Sequence, residues 1–454
     1  MRLEDLLSGL PGLEITQRCE DRITGLSYDS RETHPGDLFI AVQGTYCSGN
    51  RFIAEAVEKG AVAVLAEQRV EPDPGIPVAI VDDARSSKAR IAARFYRHPS
   101  QRLDCVGITG TNGKTSVSYM LKSILEHDGR STGLIGTICH HIGGNVVPSK
   151  NTTPDAVDLQ RYLAEMVDEN QNAAVMEVSS HALTQARVEG IAFRVGVFTN
   201  LTQEHLDYHD NMDRYAKAKC LLFSSLPPGA VAVINADDPA GAAMAEVCTC
   251  PVIRYGFSPG TDVTVDLRRL DADGFYMILK TPDGDVDIAS RLPGRFNVMN
   301  AMAAAAAAIR LDVPLSAVKS GIETLKYIRG RMESIDCGQD FRVIVDYAHT
   351  SDALKNILEN LKPLTACRLI TVFGCGGDRD RTKRPLMAEV ATSLSDHTII
   401  TSDNPRSEDP EAIIQDILSG VVRSAAYQVE SDRKRAIEDA IAMASGGDIV
   451  VIAG

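Results

Sequence analysis

The stretch Thr109-Gly110-Thr111-Asn112-Gly113-Lys114-Thr115 follows an apolar run that ends at Ile108 and precedes a helical pattern that begins near Ser116. Its glycines let the backbone turn tightly, so that successive N–H groups converge on a phosphate at the positive end of the helix. Lys114 adds a positive charge, and the Thr115 hydroxyl is suited to Mg²⁺. The loop is a shortened variant, because Ile108 stands where the usual pattern has glycine. We predict a nucleoside triphosphate site on Gly110, Thr111, Asn112, Gly113, Lys114, Thr115 and Ser116.

Strand-like runs and helical patterns alternate on both sides of this loop. In the middle of the chain the runs lie near Cys105–Ile108 and at 173–178, 195–200 and 231–236. This alternation predicts a mostly parallel sheet with helices on both faces.

Two smaller α/β units flank the central one. The first has strand-like runs at 37–42 and 61–66 and a helical stretch at 52–59, and it ends near His98-Pro99-Ser100. The last, which we expect to be Rossmann-like, begins near Gly330 and has runs at 341–346, 369–374, 397–401 and 448–454. We predict an α/β protein of three domains, at residues 1–99, 100–329 and 330–454.

Composition excludes several classes of protein. The formal charge of −14 over 454 residues argues against a nucleic-acid binder, although local basic pockets are compatible with it. The ten cysteines include no close CxxC pair, which argues against a zinc site or a disulfide framework. No signal-like start or membrane-spanning apolar window is present, so we expect a soluble, cytoplasmic, monomeric protein.

Three polar clusters come directly after predicted strands, where α/β proteins bind ligands. Glu177 precedes Ser179-Ser180-His181, His205 lies in the segment 200–209, and Asp346-Tyr347-Ala348-His349 opens the third domain. The first two, taken alone, are equally consistent with solvated polar loops.

As a set these residues resemble the Mur ligases, which build the peptide stem of bacterial peptidoglycan. The motifs occur in the family's order over nearly the whole chain, and they are GTNGKT (110–115), MEVSSHAL (176–183), TNLTQEHLDYH (199–209), GRFNVMNAMAA (294–304), GRME (330–333), DYAHT (346–350) and FGCGGDRD (373–380). Within the family the chain is most similar to the members that add the third residue of the stem.

The resemblance implies an ATP-dependent ligation in cytoplasmic peptidoglycan precursor synthesis. The D-glutamyl carboxylate of UDP-MurNAc-L-Ala-D-Glu would attack the γ-phosphate of ATP, and an amine would displace phosphate from the acyl phosphate to form an amide. It implies catalytic roles for Lys114, His205 and Lys219. One Mg²⁺ would be held by Thr115 and Glu177 with the assistance of His205, and a second Mg²⁺ by a carbamylated Lys219. The nucleotide contacts it implies are Asn297 and Asn300 at adenine, Arg331 and His349 at the phosphates, and Asp346 at the ribose.

The same resemblance assigns the UDP-sugar substrate to the first two domains. The implied residues are Ser30, Thr45, Tyr46, Cys47, Asn151, Thr152, Thr153, Ser179, Gln185 and Arg187. Hydroxyl and amide groups suit uracil, sugar and peptide, and Arg187 can pair with a diphosphate or carboxylate.

Two arginine-bearing loops follow strands of the third domain and predict the choice of amine. Arg379 follows the run 369–374, and Asp403-Asn404-Pro405-Arg406 follows the run 397–401. Guanidinium groups bind carboxylates bidentately, so a shared pocket would suit an amine that carries a distal carboxylate. In the family, DNPR is typical of members that add meso-diaminopimelate, which implies contacts from Arg379, Asp403, Asn404, Pro405, Arg406 and Gly454. A structural ion pair of Arg406 with Glu408 or Asp409 is the alternative, whereas Asp409 before Pro410 predicts a helix N-cap.

The sequence departs from the family at its end. The family continues as Ala-Gly-Lys-Gly-His-Glu, whose glutamate binds an amino group of diaminopimelate, whereas this sequence stops at Ala453-Gly454. We expect that contact to be missing, through truncation or in a weakened enzyme. Two alternatives stay open, a folylpolyglutamate synthetase-like ligase and an ATP-switched binding protein without ligase activity.

Overall fold

The computed structural model describes residues 1–44 and 47–454, and its first sheet lies within 1–99. Parallel strands β2 to β5 are bordered by antiparallel β1, in the order β1-β5-β4-β3-β2. The predicted runs at 37–42 and 61–66 form β3 and β4, and the predicted helix at 52–59 is α2. The elements are α1 Leu3–Leu7, β1 Glu14–Ile15, β2 Gly25–Ser27, β3 Asp37–Ile40, α2 Ile53–Glu58, β4 Ala63–Ala66, β5 Val78–Ile80 and α3 Ala84–Phe95.

The central sheet carries the glycine-rich loop. Its order is β13-β12-β11-β6-β10-β7-β8-β9, parallel from β13 to β7 and antiparallel at β8 and β9. Its strands are β6 Asp104–Thr109, β7 Thr132–Ile135, β8 Cys139–Ile142, β9 Asn145–Pro148, β10 Ala173–Glu177, β11 Phe193–Phe198, β12 Val231–Asn235 and β13 Val252–Tyr255. The helices between and beside them are α4 Lys114–His127, α5 Ala156–Asp168, α6 Ser180–Thr184, α7 Leu206–His209, α8 Met212–Ser224 and α9 Gly241–Glu246.

Strand register brings the polar clusters of the central domain together. Glu177 pairs with Ile108 across β10 and β6, and Phe198 pairs with Thr109 across β11 and β6. The three strands therefore end side by side, and the loops that follow them meet at one edge of the sheet.

A second, antiparallel sheet and two helices complete the central domain. The elements are β14 Thr264–Asp271, β15 Gly274–Thr281, β16 Gly284–Ser290, α10 Arg295–Ile309 and α11 Leu315–Thr324. The alanine-rich part of α10 is buried on all sides. Its small side chains let it pack in one hydrophobic core with α4 and residues of both sheets.

The third domain is a six-stranded sheet of order β17-β18-β22-β19-β20-β21, in which only the edge strand β17 is antiparallel to its neighbour. Its elements are β17 Glu333–Ile335, β18 Arg342–Asp346, α12 Ser351–Leu361, β19 Leu369–Phe373, α13 Lys383–Leu394, β20 His397–Ile400, α14 Pro410–Leu418, β21 Tyr427–Val429, α15 Arg433–Met443 and β22 Ile449–Ala453. The predicted α/β class is confirmed, and each sheet lies within one of the three ranges that we propose as domains. No helix among the described residues is long and apolar enough to cross a membrane.

Candidate functional site

The glycine-rich loop turns between β6 and α4 in a shape that requires glycine. Gly113 has φ +85°, and a Cβ there would lie 2.5 Å from Asn300 Oδ1. The neighbouring strand holds the loop, because Asn112 N donates to Asn200 Oδ1 at 2.8 Å and Thr199 Oγ1 donates to Asn112 O at 2.6 Å. The helix begins at Lys114, two residues before the predicted Ser116, so its free N–H groups face the loop.

Lys114 folds back over this loop. Its Nζ donates to Gly110 O and Thr111 O, both at 2.8 Å. Burial lowers the pKa of Lys114, while the carboxylates of Glu204 and Glu177 act in the opposite direction. The lysine is thus positioned beside the N–H groups that would hold a phosphate.

Glu177 is a fully buried carboxylate at the end of β10. It accepts hydrogen bonds from Thr115 Oγ1 at 3.0 Å, Thr137 N at 2.9 Å and Thr137 Oγ1 at 3.0 Å. A hydroxyl and a carboxylate in contact are the hard oxygen donors that Mg²⁺ prefers, usually with substrate phosphates and waters. In residues 1–44 and 47–454 no three His, Cys, Asp or Glu side chains form a metal-binding group. The hydroxyl of Thr115 and the carboxylate of Glu177 therefore fit a Mg²⁺ ion, whose coordination substrate phosphates would complete.

His205 lines the same cleft as Glu177. Its backbone is left-handed, with φ +56°, where the chain enters α7. The ring packs edge-to-face on His181 with centroids 4.8 Å apart, and Nε2 is 3.8 Å from Glu204 Oε2. Burial lowers the pKa of His205, which favours the neutral imidazole that can coordinate a metal.

Lys219 is buried on α8 with 1% of its surface exposed. Its Nζ lies 4.3 Å from the ring centroid of Tyr215, and within the described part of the chain it forms no hydrogen bond or ion pair. Burial, and then the positive charge of Lys114, lower the pKa of Lys219 well below its usual value. A charged ammonium without an acceptor is unfavourable here, so the geometry favours the neutral amine.

The third domain closes the other side of the cleft, whose volume is about 230 Å³. Arg331 Nη2 donates to Thr115 Oγ1 at 3.2 Å, and His349 faces the cleft with Nδ1 3.0 Å from Tyr347 O. The lining residues are Thr111 to Ser116, Thr137, Thr152, Glu177, Ser179, Glu204, His205, Arg331, Tyr347, His349, Thr350 and Ala353. Most predicted phosphate and metal residues therefore meet in one place.

Besides Gly110 of the loop itself, three predicted nucleotide residues lie outside that lining. Asn297 Nδ2 donates to Pro293 O at 2.8 Å, and Asn300 Nδ2 donates to Asn297 Oδ1 at 3.2 Å. Asp346 is also buried and accepts a hydrogen bond from Met332 N at 2.8 Å. Their roles at adenine and ribose stay predictions.

The residues predicted for the UDP-sugar substrate fall into two groups. In the central domain Thr153 Oγ1 donates to Glu177 O at 2.9 Å, and Arg187 donates to Thr153 O at 2.8 Å and Gln185 Oε1 at 2.7 Å. Thr152 and Ser179 line the cleft beside them, and Asn151 is exposed. In the first domain Ser30 Oγ donates to Glu55 Oε2 at 2.6 Å and Cys47 is exposed, whereas Thr45 and Tyr46 lie outside the described residues.

Arg379 and Arg406, which are predicted to bind a carboxylate, lie in the loops that follow β19 and β20. Arg406 reaches across from the second strand's loop to the first, where its Nη1 donates to Gly377 O at 2.7 Å. Glu408 pairs instead with Arg381 and Arg384, and no ion pair of Arg406 is present in the described part of the chain. The alternative of a structural ion pair for Arg406 is therefore wrong. Arg379 is exposed on the glycine loop.

The remaining residues predicted to bind diaminopimelate lie in the loop that carries Arg406 or at the end of β22. Gly377 N donates to Asn404 O at 2.9 Å, and Asp403 and Pro405 flank that carbonyl. Gly454 N donates to Asp346 O at 3.2 Å at the end of the adjacent strand β22. Asp409 caps α14 as predicted, since its side chain accepts from Glu411 N at 3.1 Å.

Models of known families match all three domains. The Mur ligase family catalytic domain matches residues 22–96, the Mur ligase middle domain 108–308, and the Mur ligase glutamate ligase domain 330–454. The chain belongs to the Mur ligase family. This Mur ligase is therefore an enzyme that forms amide bonds at the expense of ATP.

Individual relatives agree with this placement. A UDP-N-acetylmuramoyl-L-alanyl-D-glutamate–2,6-diaminopimelate ligase of Bacillus licheniformis is 45% identical over 461 residues, which cover 100% of this chain and 94% of that protein. A solved ligase of the same name is 34% identical, with a TM-score of 0.70 over 95% of this chain and 89% of that chain. A Mycobacterium tuberculosis folylpolyglutamate synthase, solved with ADP and AMPPCP, is 20% identical with a TM-score of 0.67 over 81% of this chain and 92% of that one, and shares the fold.

Sequence reasoning missed several residues of this Mur ligase site. Thr137 follows β7 as an ordinary threonine, and only the fold brings it to Glu177. Asp352 at the start of α12 crosses to the central domain, where its Oδ2 accepts from Asn112 Nδ2 at 3.0 Å and Thr202 Oγ1 at 2.7 Å. The signal available in sequence was proximity to the DYAHT motif, which does not indicate a partner 240 residues away.

Asp352→Ala is expected to weaken ATP binding about tenfold, because hydrogen bonds to a charged group contribute about 1.5–3 kcal/mol and their loss frees the tip of the loop. Titration calorimetry with a non-hydrolysable ATP analogue measures the change. Lys355→Ala, an exposed change on the same helix, is the matched control. Equal affinities for the Asp352 and Lys355 variants would show that the contact does not order the loop.

Proposed function

We propose that this Mur ligase joins meso-2,6-diaminopimelate to the D-glutamyl carboxylate of UDP-MurNAc-L-Ala-D-Glu. The observation that carries the choice of amine is Arg406, whose guanidinium is bound through Nη1 to Gly377 O and forms no ion pair among the described residues. Its remaining N–H groups would bind the distal carboxylate of an amino acid bidentately. The names of the full-length relatives support the same substrates.

The reaction begins at the glycine-rich loop. The substrate carboxylate forms a bond to the γ-phosphorus as the bond to the bridging oxygen breaks and ADP leaves. Loop N–H groups, Lys114 and Arg331 converge from two domains on the same cleft, where they would neutralise the phosphoryl oxygens. The amine then forms the C–N bond as phosphate leaves, with one proton lost from its nitrogen.

Metal binding fits the residues beside this loop. Thr115, Glu177 and His205 would hold one Mg²⁺ and a carbamate on Lys219 a second, and these ions would neutralise charge on the transferring phosphoryl group. Without modification Lys219 would repel a cation or contribute nothing to its binding. Addition of its neutral amine to carbon dioxide, with formation of an N–C bond and loss of a proton, makes the side chain an anionic oxygen ligand.

The dipeptide substrate would enter from the first two domains. Thr152 and Ser179 line the cleft next to Glu177, and Arg187 is held by Thr153 and Gln185 where it can pair with a diphosphate or carboxylate. Ser30 and Cys47 would contact the uridine end from the first domain. Among the described residues three side-chain pairs join these domains: Tyr28 with Asp158 and Lys88 with Asp155, both at 2.5 Å, and Arg90 with Glu189 at 2.7 Å.

Phosphate release tests the proposal against a binding protein that only switches with ATP. The proposed ligase releases phosphate when ATP, UDP-MurNAc-L-Ala-D-Glu and diaminopimelate are all present, and omission of either acceptor substrate returns release to background. ATP binding without this dependence would favour the switch. Release dependent on a folate and glutamate would favour the folylpolyglutamate reaction, for which the shared fold is the present support.

A further inference from the structure

The loops that carry Arg379 and Arg406 are bonded to one carboxylate. Glu408 accepts hydrogen bonds from Asp378 N at 2.6 Å, from Arg381 Nη2 at 2.7 Å and from Arg384 Nη2 at 2.8 Å. These donors belong to the loop after β19 and to the start of α13, whereas Glu408 belongs to the loop after β20. The side chain of Glu408 thus joins the loop after β20 to the loop after β19.

The loop after β20 also donates hydrogen bonds to the loop after β19. Asp378 accepts from Ser407 N at 3.1 Å and from Ser407 Oγ at 2.7 Å. The carbonyl of Gly377 accepts from Arg406 Nη1. Backbone and side-chain bonds in both directions therefore fix the spacing of the loops, and Arg406 takes its position from that spacing.

We call the hydrogen bonds between these two loops, centred on Glu408 and Asp378, the clamp. Arg384 connects the clamp to α13 and α14. Its side chain is completely buried, and it pairs with Asp416 of α14 at 2.8 Å as well as with Glu408. Hydrogen bonds from Arg384 are the largest reason that the pKa of Glu408 is lowered to about 2. A buried guanidinium needs compensating charge, so Glu408 stays ionised in place.

We propose that Glu408 is a positioning residue for the amine substrate, which holds the Arg379 and Arg406 loops at the separation that the carboxylate requires. The proposal rests on the proposed function, because the pocket is assigned there to diaminopimelate. This role requires no contact between Glu408 and the substrate, since the Glu408 carboxylate is bonded to Asp378 N, Arg381 and Arg384. Its effect passes through Arg406, two residues away, and the glycine loop that Arg406 contacts.

Glu408→Gln tests this with little change of shape. We expect KM for diaminopimelate to rise about tenfold or more, since small displacements of a binding group cost large factors in rate, while KM for ATP and for the UDP-dipeptide stays within about twofold. Asp409→Asn is the matched control, because it removes one charge at the next residue and keeps a good N-cap. Equal KM changes for all three substrates would overturn the proposal.

Hydrogen exchange of the unliganded protein gives a readout independent of activity. Amides at 376–381 and 403–408 should exchange faster in the Glu408→Gln variant than in the wild type or in Asp409→Asn. Asp378→Asn, an exposed change that weakens the bonds to Ser407, should do the same if Glu408→Gln folds poorly. If amide exchange in both loops were unchanged by Glu408→Gln and by Asp378→Asn, the clamp would be refuted. If exchange became faster as expected but the wild type did not use diaminopimelate, only the proposed substrate would be refuted.

Discussion

Lys219→Ala is expected to lower kcat for ligation about a hundredfold to a thousandfold, the usual cost of removing one preorganised charge-stabilising group from an active site. The side chain is buried without a hydrogen-bond acceptor among the described residues, and its pKa is lowered by burial and by Lys114. Those conditions favour the neutral amine that can react with carbon dioxide. Alanine removes that nitrogen, and with it the anionic ligand that we propose for Mg²⁺.

Two further variants separate carbamylation from packing. Lys219→Glu places a carboxylate near the same position and should retain part of the activity that alanine loses. Lys217→Ala changes an exposed lysine on the same helix and should behave as the wild type. The carbamate itself is measurable by ¹³C NMR with labelled bicarbonate. A fully active Lys219→Ala enzyme would contradict a catalytic role for Lys219.

Arg406→Ala is expected to lower kcat/KM for diaminopimelate about a hundredfold, because it removes the guanidinium that we propose to bind the distal carboxylate. We propose that ATP and the UDP-dipeptide bind elsewhere, so their KM values should change little. Steady-state kinetics with each substrate varied in turn measures the split.

Arg406→Lys separates charge from geometry at the same position. Lysine keeps the positive charge but loses the planar fork that bonds a carboxylate through two nitrogens, so most of the loss should remain. Equal losses for all three substrates in Arg406→Ala, or full activity in Arg406→Lys, would contradict bidentate carboxylate recognition.

The sequence predicted best what local patterns determine. The glycine-rich loop, the strands beside it and the N-cap at Asp409 follow from turn geometry, apolar runs and capping chemistry, and the structure has them within a few residues. The antiparallel sheet β14 to β16 is not predicted from the sequence. Its first strand is half-exposed along much of its length, so the alternation of apolar and polar residues there is weak.

Hydrogen-bond and ion-pair partners that are distant in the sequence could not be predicted from local patterns. Three acids lie near Arg406 in the sequence, and charge alone does not indicate which arginine each of them pairs with. In the structure Glu408 forms ion pairs with Arg381 and Arg384. Asp352 and Thr137 likewise acquire their partners only when separate strands and domains meet. Lys219 on a helix resembles a solvated lysine, and its burial depends on packing that no local pattern records.

Product analysis tests the central claim most directly. The enzyme is incubated with ATP, UDP-MurNAc-L-Ala-D-Glu and equal concentrations of meso-diaminopimelate and L-lysine, and the UDP-linked products are weighed by mass spectrometry. We predict one product, heavier than the dipeptide substrate by diaminopimelate less one water, formed with an equal amount of ADP. A lysine-containing product, or ADP formed without any amide product, would contradict the assignment.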